Sequence, residues 1–129
     1  MKPAALLCPL LLALVASPGA TLAAGPQVMA ADAKHFTGKT ATVCGKVESA
    51  KFAQNAEGEP TFLHLGAAFP RHPFQVRING SDRGNFGFAP EEALAGELIC
   101  ATGRVVAKSG RTEMLIKSPG DLARGVMKG

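Results

Sequence analysis

The stretch Phe74–Ala107, FQVRINGSDRGNFGFAPEEALAGELICATGRVVA, decides the fold. Phe74-Gln75-Val76-Arg77-Ile78-Asn79 alternates apolar and polar residues at period two, so Phe74, Val76 and Ile78 face a core and Gln75, Arg77 and Asn79 face away. The period then changes. Ser81-Asp82 can start a turn of helix, and Pro90-Glu91-Glu92-Ala93-Leu94-Ala95 reads as a short helix. Pro90 suits its first turn, the glutamates suit the positive end of its dipole, and Gly96 stops it. From Glu97 to Ala107 the chain reads as a strand again.

The same alternation continues on both sides. Upstream, Thr61 to Gly66 is a strand. Lys39 to Glu48 is another, with Ala41, Val43, Gly45 and Val47 on one face and Thr42, Cys44, Lys46 and Glu48 on the other. A polar loop, Gln54 to Pro60, joins the two, and the proline-bearing run Ala67 to Pro73 is a connection. Downstream, Ser109-Gly110 marks a hairpin, Thr112 to Lys117 is a strand and Pro119 stops it. Leu122 is placed to tuck under the sheet, and Ala123 to Gly129 reads as a frayed tail. The order is that of an all-β chain with small α content: a five-stranded OB-fold barrel with a short helical connection between strands 3 and 4. Val43-Cys-Gly-Lys-Val47 and Ala101-Thr-Gly-Arg-Val105 echo each other, and a glycine within a strand marks the bend that a small barrel needs to close. An open β-sandwich is the alternative.

The first residues belong to a different module. Met1-Lys2 is a basic lead, Leu6 to Ala16 an apolar run, Ser17-Pro18-Gly19 a break, and Thr21 and Ala23 suit a cleavage site. Residues 1–23 therefore read as a secretory signal peptide, too short an apolar run for a comfortable membrane span. Residues 24–37 are a lead-in, flexible over Gly25–Ala31 with one helical turn at Asp32–Phe36. Residues 38–123 are the OB-fold domain and 124–129 the C-terminal tail. The whole chain has 129 residues, 14 Lys+Arg against 10 Asp+Glu, and 47% apolar residues. That composition excludes disorder, coiled coils and multidomain enzymes. Removing residues 1–23 takes Lys2 and leaves 13 basic against 10 acidic residues, a net +3. The expected location is exported, periplasmic or secreted.

The stretch Phe36-Thr-Gly-Lys39 into Thr42-Val-Cys-Gly-Lys-Val47, then Pro60-Thr-Phe-Leu-His-Leu-Gly66, Phe69-Pro70, Phe86-Gly87, Ile99 to Val105 and Lys117-Ser-Pro-Gly-Asp-Leu122, resembles a family of small exported bacterial OB-fold domains. The resemblance runs from about Ala31 to Leu122. It implies an OB-fold and a nucleic-acid-binding-like label that rests on the fold alone. It also implies that the first and fourth strands are antiparallel neighbours. Cys44 and Cys100 lie on the polar parity of those two strands, so both sulfurs would project from one outer face. An oxidising compartment then favours a Cys44–Cys100 disulfide; two free thiols are the alternative.

OB-folds bind ligands across the second and third strands, between the loops joining strands one–two and four–five. The candidate ligand-binding residues are therefore Phe62, His64, Arg71, Arg77, Lys108 and Arg111, a set of stacking and phosphate-contacting groups. Each has a plainer role as well: Phe62 as packing, His64 as a solvated strand residue, the cations as ordinary surface charge. Glu57 and Glu59 in the one–two loop would repel phosphates at one edge, and Trp and Tyr are absent. The histidines and cysteines share no ligand spacing, so no metal is expected, although His64 and His72 flank one connection and can meet. No cofactor motif and no catalytic constellation is present, so the chain reads as a non-enzyme. Two functions follow: an exported module binding single-stranded nucleic acid or another polyanion, or an envelope structural domain whose partner is a protein or small ligand.

Overall fold

The computed structural model describes residues 25–125. The signal peptide expected over residues 1–23 lies outside the described residues, as do residues 126–129 of the expected tail. The elements are β1 (Gln27–Met29), a 3-10 helix (Ala30–Phe36), β2 (Thr40–Phe52), β3 (Thr61–Leu65), β4 (Phe74–Ile78), α1 (Gly80–Arg83) and α2 (Pro90–Ala93). They continue with β5 (Leu98–Arg104), β6 (Val106–Lys108), β7 (Arg111–Leu115), a 3-10 turn (Pro119–Asp121) and β8 (Leu122–Arg124).

The strands form one sheet in the order β6-β7-β4-β3-β2-β5-β8, with β1 pairing to β2. The long β2 belongs to both halves. Thr40–Lys46 pairs antiparallel with β5, and Val47–Phe52 pairs antiparallel with β3. Only Val105 separates β5 from β6, which pairs with β7, and β7 lies parallel to β4. The sheet therefore curls back on itself in the strand order of an OB-fold. Strand alternation places Ala41, Val43, Val47, Leu63, Leu65, Phe74, Val76, Ile78 and Ile99 inside, all essentially inaccessible. Phe86 and Leu94, from the connection that carries α1 and α2, complete the core. Arg83 fixes that connection: its guanidinium donates to both carboxylate oxygens of Glu91 at 2.7 and 2.9 Å and to Thr61 Oγ1 at 2.7 Å. It also lies over the Phe52 ring at 3.6 Å.

The ends of the chain differ from the sequence expectation. The lead-in is not flexible over Gly25–Ala31: β1 lies parallel to β2, and Ala30 and Ala33 of the 3-10 helix are buried. Small side chains are the cause. A Cβ on Gly45 would stand 3.1 Å from Ala30 Cβ and 3.3 Å from Leu65 Cβ, so Gly45 admits a close approach rather than making a bend. The kink in β2 falls three residues later, between Val47 and Ser49, where Glu48 is the extra residue of a β-bulge. At the other end, Ala123 and Arg124 are not frayed but belong to β8, antiparallel to β5. The fourth strand is broken at Val105 into β5 and β6. The hairpin turn stands where expected, with Ser109 and Gly110 at φ 52° and 77°, the left-handed pair that a tight two-residue turn requires.

Cys44 and Cys100 are directly opposed in the β2–β5 register and joined as a disulfide. Strand pairing extends their row to Met29 of β1 and Ala123 of β8. The bridge therefore ties the middle of a four-strand layer, and Cys44 is buried beneath it.

Candidate functional site

The outer face of β2, β3, β4 and β7 carries two adjacent rows of side chains, set by register. One row is Lys51, Phe62, Arg77 and Leu115. The next is Ser49, His64, Gln75 and Glu113. The β6–β7 hairpin raises Lys108 and Arg111 at one end, and Phe69, from the β3–β4 connection, stands over the polar row. Together they enclose a groove of about 550 Å³ with a mainly apolar lining.

Two phenylalanines in this groove are each faced by an arginine. The Arg77 guanidinium is 5.7 Å from the Phe62 ring centre, and that of Arg111 is 5.5 Å from Phe69. These distances fall in the cation–π range. Between the two rings lies His64, 6.4 Å from Phe62 and 5.4 Å from Phe69. Phe69 is 62% exposed, so its face is open to a ligand rather than consumed by packing.

The polar row is hydrogen-bonded along its own length and to the connection that covers it. Ser49 Oγ accepts the Phe69 amide at 2.9 Å and shares a 2.7 Å hydrogen bond with His64 Nδ1. His72 Nε2 lies 2.9 Å from Gln75 Oε1, and Gln75 Nε2 donates to Glu113 Oε1 at 2.8 Å. Arg111 donates to the Pro70 carbonyl at 3.1 Å, anchoring the hairpin to the connection. Burial pushes the His64 pKa down to about 4, with the nearby His72 and Arg111 adding to the effect against the Ser49 hydrogen bond. Burial also lowers His72, and Arg111 adds to it, while the Gln75 hydrogen bond opposes. The groove floor is thus neutral at its histidines and cationic at its rim.

Five of the six residues singled out from sequence line this groove: Phe62, His64, Arg77, Lys108 and Arg111. Arg71 does not. The connection turns back on itself, its Arg71 amide donating to the Ala68 carbonyl at 2.9 Å, and Arg71 is exposed without lining the groove. His64 is not a solvated strand residue: the connection covers it, with the His72 ring centre 4.3 Å away, and leaves it 5% exposed. Phe69, Lys51, Ser49 and Glu113 were not singled out. A charged Lys51 on what simple alternation makes the inward parity of the first strand was the available sign of a bulge before it.

No family model matches the chain, and no curated protein matches it in sequence. Among solved structures it is similar to an aspartyl-tRNA synthetase from Entamoeba histolytica, at 17% identity and a TM-score of 0.47, over 88% of this chain and 27% of that one. It is also similar to a chain assigned as an aspartyl-tRNA synthetase from Leishmania major Friedlin, at 12% identity and a TM-score of 0.45, over 82% of this chain and 22% of that one. The chain spans about a quarter of the length of either structure. Superpositions this loose leave the fold assignment resting on the strand order and registers described above.

Proposed function

We propose that the chain is an exported, non-enzymatic OB-fold module that binds single-stranded nucleic acid along this groove. The observation that carries the reading is the pairing of two groove-lining phenylalanines, Phe69 exposed and Phe62 half-buried, with a cationic rim. Phe62 and Phe69 offer stacking surfaces to bases, while Lys51, Arg77, Lys108 and Arg111 stand where phosphates would run. Stacking and phosphate contact supply affinity with little dependence on sequence. Export is supported by the signal peptide read in residues 1–23 and by the Cys44–Cys100 disulfide, which suits an oxidising compartment. Among the described residues no helix is long and apolar enough to cross a membrane.

The test is fluorescence anisotropy with a labelled oligothymidylate across a salt series. Four phosphate contacts give a log–log slope of about −3. Arg77→Glu should abolish binding at moderate salt. Inorganic polyphosphate as competitor separates the two parts of the reading: Phe62→Ala with Phe69→Ala should weaken DNA binding and leave polyphosphate binding intact. Absence of binding at low salt overturns the proposal and leaves the envelope interaction domain, with a protein or small-ligand partner, as the function to pursue.

A further inference from the structure

The groove contains one group that neither stacking nor phosphate contact uses. Glu113 closes the polar row, is 3% exposed, and still lines the groove. Its Oε1 accepts from Gln75, whose own carbonyl oxygen is engaged by His72, so the amide cannot turn away. Among the described residues, Oε2 accepts no hydrogen bond, and no Lys, Arg or His nitrogen lies within 4.0 Å of the carboxylate. Arg111, two residues away on the same strand, is turned to the Pro70 carbonyl instead. The carboxylate thus keeps Oε2 open to the groove and free to accept from a ligand there, while Oε1 is held by the amide.

A phosphate cannot occupy that position, because like charge repels it. The bound strand must therefore lie with its phosphates at the rim cations and a base edge directed to the floor. The four common bases differ there. Guanine presents N1–H and N2–H side by side, two donors that match the two oxygens of a carboxylate. Cytosine and adenine present one amino donor beside a ring nitrogen lone pair, which opposes the second oxygen. Thymine and uracil present one N–H between two carbonyls.

We propose that Glu113 is a specificity-determining residue of the groove: held by Gln75, its carboxylate takes the N1–H/N2–H edge of a guanine at one position of the bound strand. The proposal rests on the nucleic-acid reading above and adds a single read position to otherwise sequence-tolerant binding.

The experiment compares labelled pentadeoxynucleotides TTGTT, TTITT (I, inosine, which lacks the N2 amino group), TTCTT, TTATT and TTTTT on the full mature chain. TTGTT should bind roughly tenfold or more tighter than TTTTT, the size of a good bidentate base contact, with TTITT between them. Glu113→Gln should bring TTGTT within about threefold of TTTTT and leave TTTTT as tight or tighter, since a negative charge has left an anion-binding groove. A merely structural role would weaken all five alike. The inosine comparison uses the wild-type chain and holds even if the variant folds poorly. Equal binding of all five, a preference for cytosine, or a guanine preference that survives Glu113→Gln overturns the inference and leaves the nucleic-acid reading standing. Binding of none of them overturns both.

Discussion

Replacing Cys44 and Cys100 together with alanine should remove about 4 kcal/mol of stability. The two residues are 56 apart in sequence, so the bridge closes a loop of 57 residues in the unfolded chain. Loop closure of that size withholds roughly 14 cal/mol/K of entropy from the unfolded ensemble, which at 25 °C is about 4 kcal/mol. A domain of this size gains about 0.2 kcal/mol/K on unfolding, so the midpoint should fall by about 20 °C. The native layer itself should survive, because β1, β2, β5 and β8 remain paired through their backbones on both sides of the lost bridge. The assay is thermal and urea unfolding of oxidised wild type against the double variant, followed by far-UV circular dichroism. The urea m-value should rise in the variant as its unfolded chain expands. A double variant within about 1 kcal/mol of oxidised wild type would refute the chain-entropy argument. A wild-type chain whose mass gains no hydrogens on reduction would refute the bridge.

Three further outcomes follow from the same geometry. Phe69→Ala should leave stability within about 0.5 kcal/mol, since the ring is exposed, yet weaken oligothymidylate binding about fivefold or more, as one lost stacking platform would; anisotropy and urea unfolding on one preparation check both. Arg83→Ala should cost about 2–3 kcal/mol by stranding the half-buried Glu91 carboxylate, and adding Glu91→Ala should recover part of it; a single variant within about 0.5 kcal/mol of wild type sinks the clamp. Acidification should destabilise the fold before its carboxylates protonate. His64 titrates near 4 when folded and near 6.5 when unfolded, so in that window the unfolded chain binds the extra proton. Stability is full above about pH 6.5 and falls as pH drops towards 4, by on the order of 1–2 kcal/mol after solvent screening, with His72 acting in the same direction. Glu91, held below its ordinary range by Arg83, contributes only lower down. Urea midpoints that do not move between pH 7 and pH 5 would count against a buried neutral His64, and His64→Gln should flatten the dependence.

Much of the fold was legible because its strands obey period two. Phe74, Val76 and Ile78 lie inside as alternation requires, and Cys44 and Cys100 sit on the outer parity of their strands. Legibility ended where a local irregularity resets the period. The bulge at Glu48 turns Ser49 and Lys51 onto the groove face, and one extra residue inverts the parity of all that follow in the strand. The ends of the chain are not legible for a related reason: β1 and β8 are three residues each, too short to show a period, and exist because a neighbouring strand offers them partners.

The candidate site divides in the same way. Phe62, Arg77, Lys108 and Arg111 were found by combining strand parity with the usual ligand face of this strand order. Period two places Gln75 on the outward row beside Arg77, but nothing local marks Phe69 or Glu113 apart from ordinary connection and surface residues. Sequence by itself determined the central strands, the faces they bury outside the bulged end of β2, the helical connection and the pair of cysteines, because these follow from backbone periodicity and side-chain chemistry within a few positions. Tertiary structure alone decided that the cysteines bond, that His64 is covered and neutral, and that Glu113 is buried at the end of a hydrogen-bonded row. Each of those depends on which strand lies beside which, and on a connection folding over the sheet, and neither distance is written in the local order of residues.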